Sequence, residues 1–349
     1  METGTIIAVV LGLIILVAIG SLFVAPSLFA KPLIKSDNSQ ESTNGLKAPE
    51  LQGISGYINT PPGLKISNFI GKKVILVDFW TYTCINCVRT LPYLKQWDEK
   101  YRDDGLLIIG VHTPEFDFEK EYDNVKKAVS EHGLKYPIVQ DNEYGTWRAY
   151  QNRFWPAKYL IDKNGNIVYT HFGEGNYNET EKKIQELLED LNKKNISEKI
   201  GEEVTAEQID FTKVGTPEIY FGYAFRRAPI GNAPFDLQPD AITAFTLPQQ
   251  QAVNVPYLEG NWKNNADNFE LTGDTGKIVL IYKAKSVNIV AGSENGSTLD
   301  VTASNQKQAG NSVKDFTMYR VADGTNYDPK VIEITVQGKG FKINTFTFG

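Results

Sequence analysis

The two cysteines of the chain, Cys84 and Cys87, stand together as Cys84-Ile85-Asn86-Cys87. A metal site, a structural staple and a redox centre could each use such a pair. Structural metal sites take about four ligands, and the three histidines, His112, His132 and His171, are scattered without ligand spacing. A staple across so short a loop would restrict the unfolded chain little. The redox reading instead demands a position, and the sequence supplies it. The pair follows the mostly apolar run Lys73 to Trp80 and opens a helical pattern from about Cys84 to Arg102. The Cys84 sulfur would then sit at a helix N-terminus, where unpaired N–H groups and the helix dipole favour thiolate. Disulfide exchange is the recognised use of Cys-x-x-Cys in a βαβ context.

The surrounding pattern must place that pair. Leu106 to His112 reads as a second buried strand, Phe118 to Gly133 as a helix, Tyr136 to Val139 as a short strand and Glu143 to Asn152 as a short helix. Ala157 to Asp162 and Asn166 to His171 flank the hairpin turn Lys163-Asn164-Gly165, and a last helix covers about Thr180 to Asn195. This is an α/β layered fold. Past the polar stretch Lys193 to Thr212 come short β-rich runs: Lys277 to Lys283, Ser286 to Val290, Thr298 to Thr302, Phe316 to Val321, Val331 to Val336 and Phe341 to Phe348. Such spacing predicts an antiparallel sandwich or jelly roll.

Length and composition bound the rest. At 349 residues, with 41% hydrophobic and 22% charged, the chain is folded globular material of about two domains. A net charge of −6 without a long basic run argues against nucleic acid as a partner. Ile6 to Pro26 carry no charge and are about long enough to span a bilayer. No lysine or arginine precedes them, unlike the basic start of a signal peptide. An uncleaved anchor is expected, with cleavage after Ala30 the alternative. Ser36 to Gly45 reads as a tether.

Several residues beyond the cysteines carry a family likeness. Asp78-Phe79-Trp80-Thr81-Tyr82-Thr83-Cys84-Ile85-Asn86-Cys87, with Pro92 further on, resembles the thioredoxin active-site signature, and Trp155-Pro156-Ala157-Lys158-Tyr159-Leu160 resembles that fold's cis-proline strand. The long separation of Cys84 from Pro156 resembles membrane-anchored TlpA/ResA-like redoxins. The whole resembles the extracytoplasmic part of DipZ-type thiol-disulfide proteins, in which a β-rich, carbohydrate-binding-module-like domain follows. Thr216 to Ala224 and Phe346 to Gly349 share in that likeness.

The resemblance implies roles. Cys84 would attack and Cys87 resolve; Asp78 would accept the Cys87 proton; Pro156 would be cis and offer the Trp155 backbone to a substrate peptide. Trp80 and Tyr82 would be half core, half rim of that substrate surface. TlpA/ResA-like proteins often have a buried Glu where this chain has Thr90. Glu115 and His112 are expected in loop and core roles.

The expected organisation is thus a transmembrane anchor at 5–27, a linker at 28–47, a thioredoxin-like domain at 48–195, a linker at 196–213 and a β-sandwich at 214–349. The expected function is that of a membrane-anchored, extracytoplasmic thiol-disulfide oxidoreductase acting on protein substrates, with reduction the favoured direction. It would be recycled by a membrane electron-transfer partner and would need no cofactor beyond the Cys84–Cys87 disulfide. A redoxin-type peroxidase is the alternative, although Val77 stands where its Pro-x-x-x-Thr-x-x-Cys pattern needs proline. Another is glycan or cell-wall binding through Tyr220, Phe221, Tyr223, Phe225, Trp262 and Tyr282 as a stacking platform.

Overall fold

The structure, a computed structural model, describes residues 45–201, 204, 206–207 and 209–349. The expected anchor and most of the first linker lie outside the described residues. Among the described residues no helix is long and apolar enough to cross a membrane.

The first half is a seven-stranded sheet flanked by helices. Its strands are β1 (Leu46–Lys47), β2 (Gly56–Ile58), β3 (Val74–Trp80), β4 (Leu106–His112), β5 (Ile138–Gln140), β6 (Ala157–Ile161) and β7 (Asn166–Phe172), in the order β1-β7-β6-β3-β4-β5-β2. Strands β3, β4 and β5 run parallel, while β6 runs antiparallel to β3 and β7 to β6. The helices are α1 (Ile85–Tyr101), α2 (Tyr122–Glu131), α3 (Gly145–Ala149) and α4 (Tyr177–Asn192).

All seven residues of β3 are buried, which explains its nearly unbroken apolar run: both faces of the strand are covered. Val74, Leu76 and Trp80 face Leu91, Leu94, Trp97 and Tyr101 of α1 and Ile184 and Leu188 of α4. Ile75, Val77 and Phe79 face the other way, onto Ile109, Val111, Tyr159 and Ile161, with Trp147 of α3 against them. Side-chain alternation therefore aims Asp78 at the α1 side, toward the cysteines.

Several boundaries differ from the sequence reading. The helix expected from Phe118 is a 3-10 turn, Asp117–Lys120, followed by α2, because Glu121 between them is extended (φ −70°, ψ 120°). Helix α4 begins at Tyr177 rather than Thr180, after Asn176 in the left-handed region. Strand β5 starts at Ile138 rather than Tyr136; the Pro137 carbonyl accepts from Gly110 N, but Pro137 has no N–H to return.

The second half adds β8 (Ile219–Tyr220), β9 (Ile242–Phe245), β10 (Pro256–Asn264), β11 (Phe269–Leu271), β12 (Thr275–Lys283), β13 (Ser286–Gly292), β14 (Ser297–Ala303), β15 (Gln306–Lys307), β16 (Asn311–Val313), β17 (Thr317–Asp323), β18 (Pro329–Gln337) and β19 (Lys342–Phe348). They form one antiparallel 12-stranded sheet rather than the two separate sheets of the expected sandwich or jelly roll. The two halves share β10, whose residues Pro256 to Glu259 pair with β12 while Gly260 to Asn264 pair with β9 and β11. Gly260 stands at the changeover with φ +100°, and a Cβ there would come 2.9 Å from the Thr275 carbonyl oxygen. The sheet folds there over one core in which Leu258, Leu280 and Ile334 meet Trp262, Ile289 and Phe346.

That core absorbs Phe221, Trp262 and Tyr282, and Tyr220 and Phe225 pack on Phe116 of the first half. Phe221, Trp262 and Tyr282 are therefore core residues rather than part of an exposed stacking platform, whereas Tyr223 and Phe225 stay exposed. Replacing Gly260 with alanine should destabilise the chain by about 1–3 kcal/mol through left-handed strain. It should cost more than Gly63→Ala, since Gly63 is also left-handed but has nothing within 4 Å of its added Cβ. Urea denaturation of both variants measures the difference.

Candidate active site

The site begins at the junction of β3 and α1. Cys84 is the N-cap of α1, with extended backbone (φ −75°, ψ 110°), and its sulfur accepts a hydrogen bond from Cys87 N at 3.3 Å. Both cysteines are free thiols, Cys84 half-buried and Cys87 buried. One turn into the helix, burial pushes the Cys87 thiol well above its ordinary range, and neighbouring Cys84 adds to the effect. A half-exposed cysteine at the helix end and a buried one behind it are what attack followed by resolution requires. Thr90, on the next turn, bonds the Asn86 carbonyl at 3.0 Å and the Tyr177 hydroxyl at 3.2 Å. This position therefore brings no acid.

Asp78 is buried and its Oδ1 has no partner among the described residues. Burial raises its carboxyl to about 7, against the opposing pull of Lys158. Lys158 lies directly across from Asp78 in the β3–β6 register and is itself fully buried. Its ammonium donates to the Gly173 carbonyl at 3.4 Å and lies 5.9 Å from the Tyr177 ring centroid. Burial weakens its hold on the proton, and Asp78 partly restores it. In sequence Lys158 reads only as a strand residue; the signal for more is a lysine between Ala157 and Tyr159, inside an otherwise apolar strand.

The Trp155–Pro156 peptide bond is cis. Trp155 is half-buried, donates its indole N–H to the Thr113 carbonyl at 3.1 Å, and lies against Trp147 with ring centroids 4.2 Å apart. Trp80 departs from the expected rim position: it is fully buried, edge-on to His112 at 5.3 Å, so it supports the site from beneath. Tyr82 is buried as well and donates its hydroxyl to the Phe316 carbonyl of the β domain at 3.1 Å. It faces that domain rather than open solvent. His112 is buried between these rings, and burial lowers it to about 3, so it is neutral at physiological pH.

A small cavity of about 70 Å³ opens onto Cys84. Thr83, Asn86 and Trp155 line one side, Glu218, Tyr220, Thr345 and Thr347 of the β domain the other, and Glu115 completes it. Glu115, expected in a plain loop role, thus belongs to the site. Buried Glu119 ties the loops together: Oε2 accepts from the backbone N–H of Glu115 at 2.6 Å and Phe116 at 3.0 Å, and Oε1 accepts from the Thr83 hydroxyl. Glu115 and Phe116 are local partners, four and three residues back at the start of the 3-10 turn, and only Thr83 is brought to Glu119 by the fold.

Asp78 makes a testable contribution to stability. Its folded carboxyl holds a proton more tightly than the ordinary carboxyl at 3.8. Proton linkage therefore favours the fold below pH 4, and that contribution is lost as pH rises to about 7. Relative to the wild type, Asp78→Asn should gain stability steadily between pH 4 and pH 7 and no further above it, over a total of a few kcal/mol at most. Thermal melts of the reduced proteins across that range read the difference.

Both halves of the chain have known relatives. Residues 44–188 match the Redoxin family model, and 216–349 match the model of the thioredoxin-like C-terminal domain. Protein DipZ of Mycobacterium tuberculosis is 36% identical over 90% of this chain, which spans only 44% of that relative's length. The thiol-disulfide oxidoreductase ResA of Bacillus thuringiensis is 30% identical, across 32% of this chain and 68% of its own. The thioredoxin domain of the thiol-disulfide oxidoreductase BVU-2223 from Bacteroides vulgatus is 27% identical, covering 40% of this chain and 97% of that one with a TM-score of 0.34. With its Cys84–Cys87 pair capping the first helix of a redoxin domain, the chain belongs to the thioredoxin-like thiol-disulfide oxidoreductases.

Proposed function

We propose that the chain is a membrane-anchored, extracytoplasmic enzyme that reduces disulfides in protein substrates. The observation that carries the reading is a half-exposed helix-capping residue, Cys84, above a buried thiol, Cys87, with a carboxyl oxygen of Asp78 that has no partner among the described residues on the same side of β3. Cys84 thiolate attacks one sulfur of the substrate disulfide and forms a mixed disulfide, and the other substrate sulfur leaves as thiolate. Cys87 then passes its proton to Asp78 and attacks Cys84, which releases the second substrate sulfur as thiolate and leaves a Cys84–Cys87 disulfide. Two electrons have moved to the substrate, and a membrane electron-transfer partner must return them. Trp155 and cis-Pro156 beside the cleft form the docking edge for the substrate backbone.

The reductive direction follows from the family likeness of the sequence around Cys84 and Cys87. The membrane reading is supported by the uncharged run from Ile6 to Pro26.

Cys84→Ser should abolish turnover of a protein disulfide, whereas Cys87→Ser should accumulate a mixed disulfide visible by non-reducing gel and mass spectrometry. Full turnover by Cys84→Ser would remove the reading. The potential of the pair, titrated against dithiothreitol, should fall near about −270 mV; a value near about −120 mV would reverse the direction.

A further inference from the structure

The β domain brings titratable groups to the cavity over Cys84. Tyr220 and Glu218 stand at its wall opposite Glu115, which lies in the loop after β4. The Tyr220 hydroxyl is 2.7 Å from Glu115 Oε1 and 3.1 Å from Glu218 Oε2. A phenol has a single hydrogen and can donate to only one of them. The other contact is a hydrogen bond only if that carboxyl is protonated and donates to the phenol oxygen. A proton held on one of the two carboxyls would satisfy both contacts at once.

The surroundings favour that proton. Burial and then Glu119 raise the Glu115 carboxyl to about 8, and burial raises Glu218. Two cations face the cluster. Arg227, whose guanidinium lies 5.6 Å over the Tyr220 ring, acts on both carboxyls, and Arg89 acts on Glu218; together they offset only part of the burial. An independent sign points into the same space: Thr347 lines the cavity, is buried, and its hydroxyl has no partner among the described residues. A cavity of about 70 Å³ has room for a water that could use it.

We propose that Glu115 gives its proton to the thiolate displaced when Cys84 attacks a substrate disulfide, and that Tyr220 and Glu218 are positioning residues that keep Glu115 protonated until then. The inference rests on the disulfide-reducing reading above. The substrate S–S bond breaks, its electron pair leaves with the displaced sulfur, and that sulfur takes the Glu115 proton and departs as a thiol. Glu115 is left as a carboxylate and is reprotonated from water. Glu115 and Cys84 belong to the same domain, so they remain together when the cleft opens for a peptide.

The test is the pH profile of kcat/KM for a fluorogenic disulfide-linked peptide, measured with the full chain from pH 6 to pH 10. The wild type should lose rate above about pH 8. Glu115→Gln should lose that falling limb and turn over on the order of 10²-fold more slowly below it. Glu218→Gln, which removes a like charge from beside Glu115, should keep the limb but move it to lower pH. A falling limb that survives in Glu115→Gln overturns the proposal, as does one that stays in place in Glu218→Gln. If Glu115→Gln does not fold by near-ultraviolet circular dichroism, the position of the limb in Glu218→Gln decides alone. A Cys84→Ser variant that stayed active would instead sink the disulfide-reducing reading itself.

Discussion

The buried pair of Asp78 and Lys158 is the constraint around which the first domain is arranged. Both side chains are fully enclosed and face each other across β3 and β6. Removing two opposite charges from water costs several kcal/mol per ion, and their attraction repays it only in good geometry. The fold meets that cost incompletely: among the described residues Asp78 Oδ1 has no partner, and the lysine has a long bond to Gly173 and the Tyr177 ring at 5.9 Å. A merely structural pair would have no use for an unsatisfied oxygen under a buried thiol. The arrangement makes sense as a stored capacity to accept a proton at about neutral pH, where Asp78 titrates.

The second constraint is the β domain over the catalytic face. The Tyr82 hydroxyl meets the Phe316 carbonyl, Phe118 packs on the Phe316 ring at 5.2 Å, and Lys127 pairs with Asp315 at 2.6 Å. The Lys127 pair is exposed on both sides and contributes little on its own. The aromatic contacts of Phe116 with Tyr220 and Phe225 bury more apolar surface and hold the cleft closed. A space of about 70 Å³ admits water and not a peptide, so substrate access and the position of the β domain are coupled. Of the aromatics that look in sequence like a sugar platform, Tyr220 and Phe225 serve this closure and Phe221, Trp262 and Tyr282 the core of the folded-over sheet.

What could be read from residue order alone is local. The Cys84–Cys87 spacing at a strand-to-helix junction, the apolar run of β3 with a single acid inside it, and the hairpin after Pro156 all follow from neighbours within one or two elements. Their physics is the same in any fold that completes the elements: a helix end exposes N–H groups, and a strand alternates its faces. The runs that became β12, β13, β14, β17, β18 and β19 were legible for the same reason. The continuity of the sheet through β10 was not, since it depends on one strand changing partners at Gly260.

The tertiary structure alone decided the rest of the site. Lys158 became the partner of Asp78 only through antiparallel pairing of distant strands. Glu115 met Tyr220 across 105 positions of sequence. Trp80, which looks as suited to a rim as to a core, was sealed beneath the site. The sequence by itself therefore determined the reactive pair and its chemistry, because a thiol's place at a helix start is set by the residues beside it. Which acids share the cavity, and how strongly each holds its proton, was decided by tertiary packing, because desolvation and charge proximity depend on what folds back over a residue and not on what precedes it.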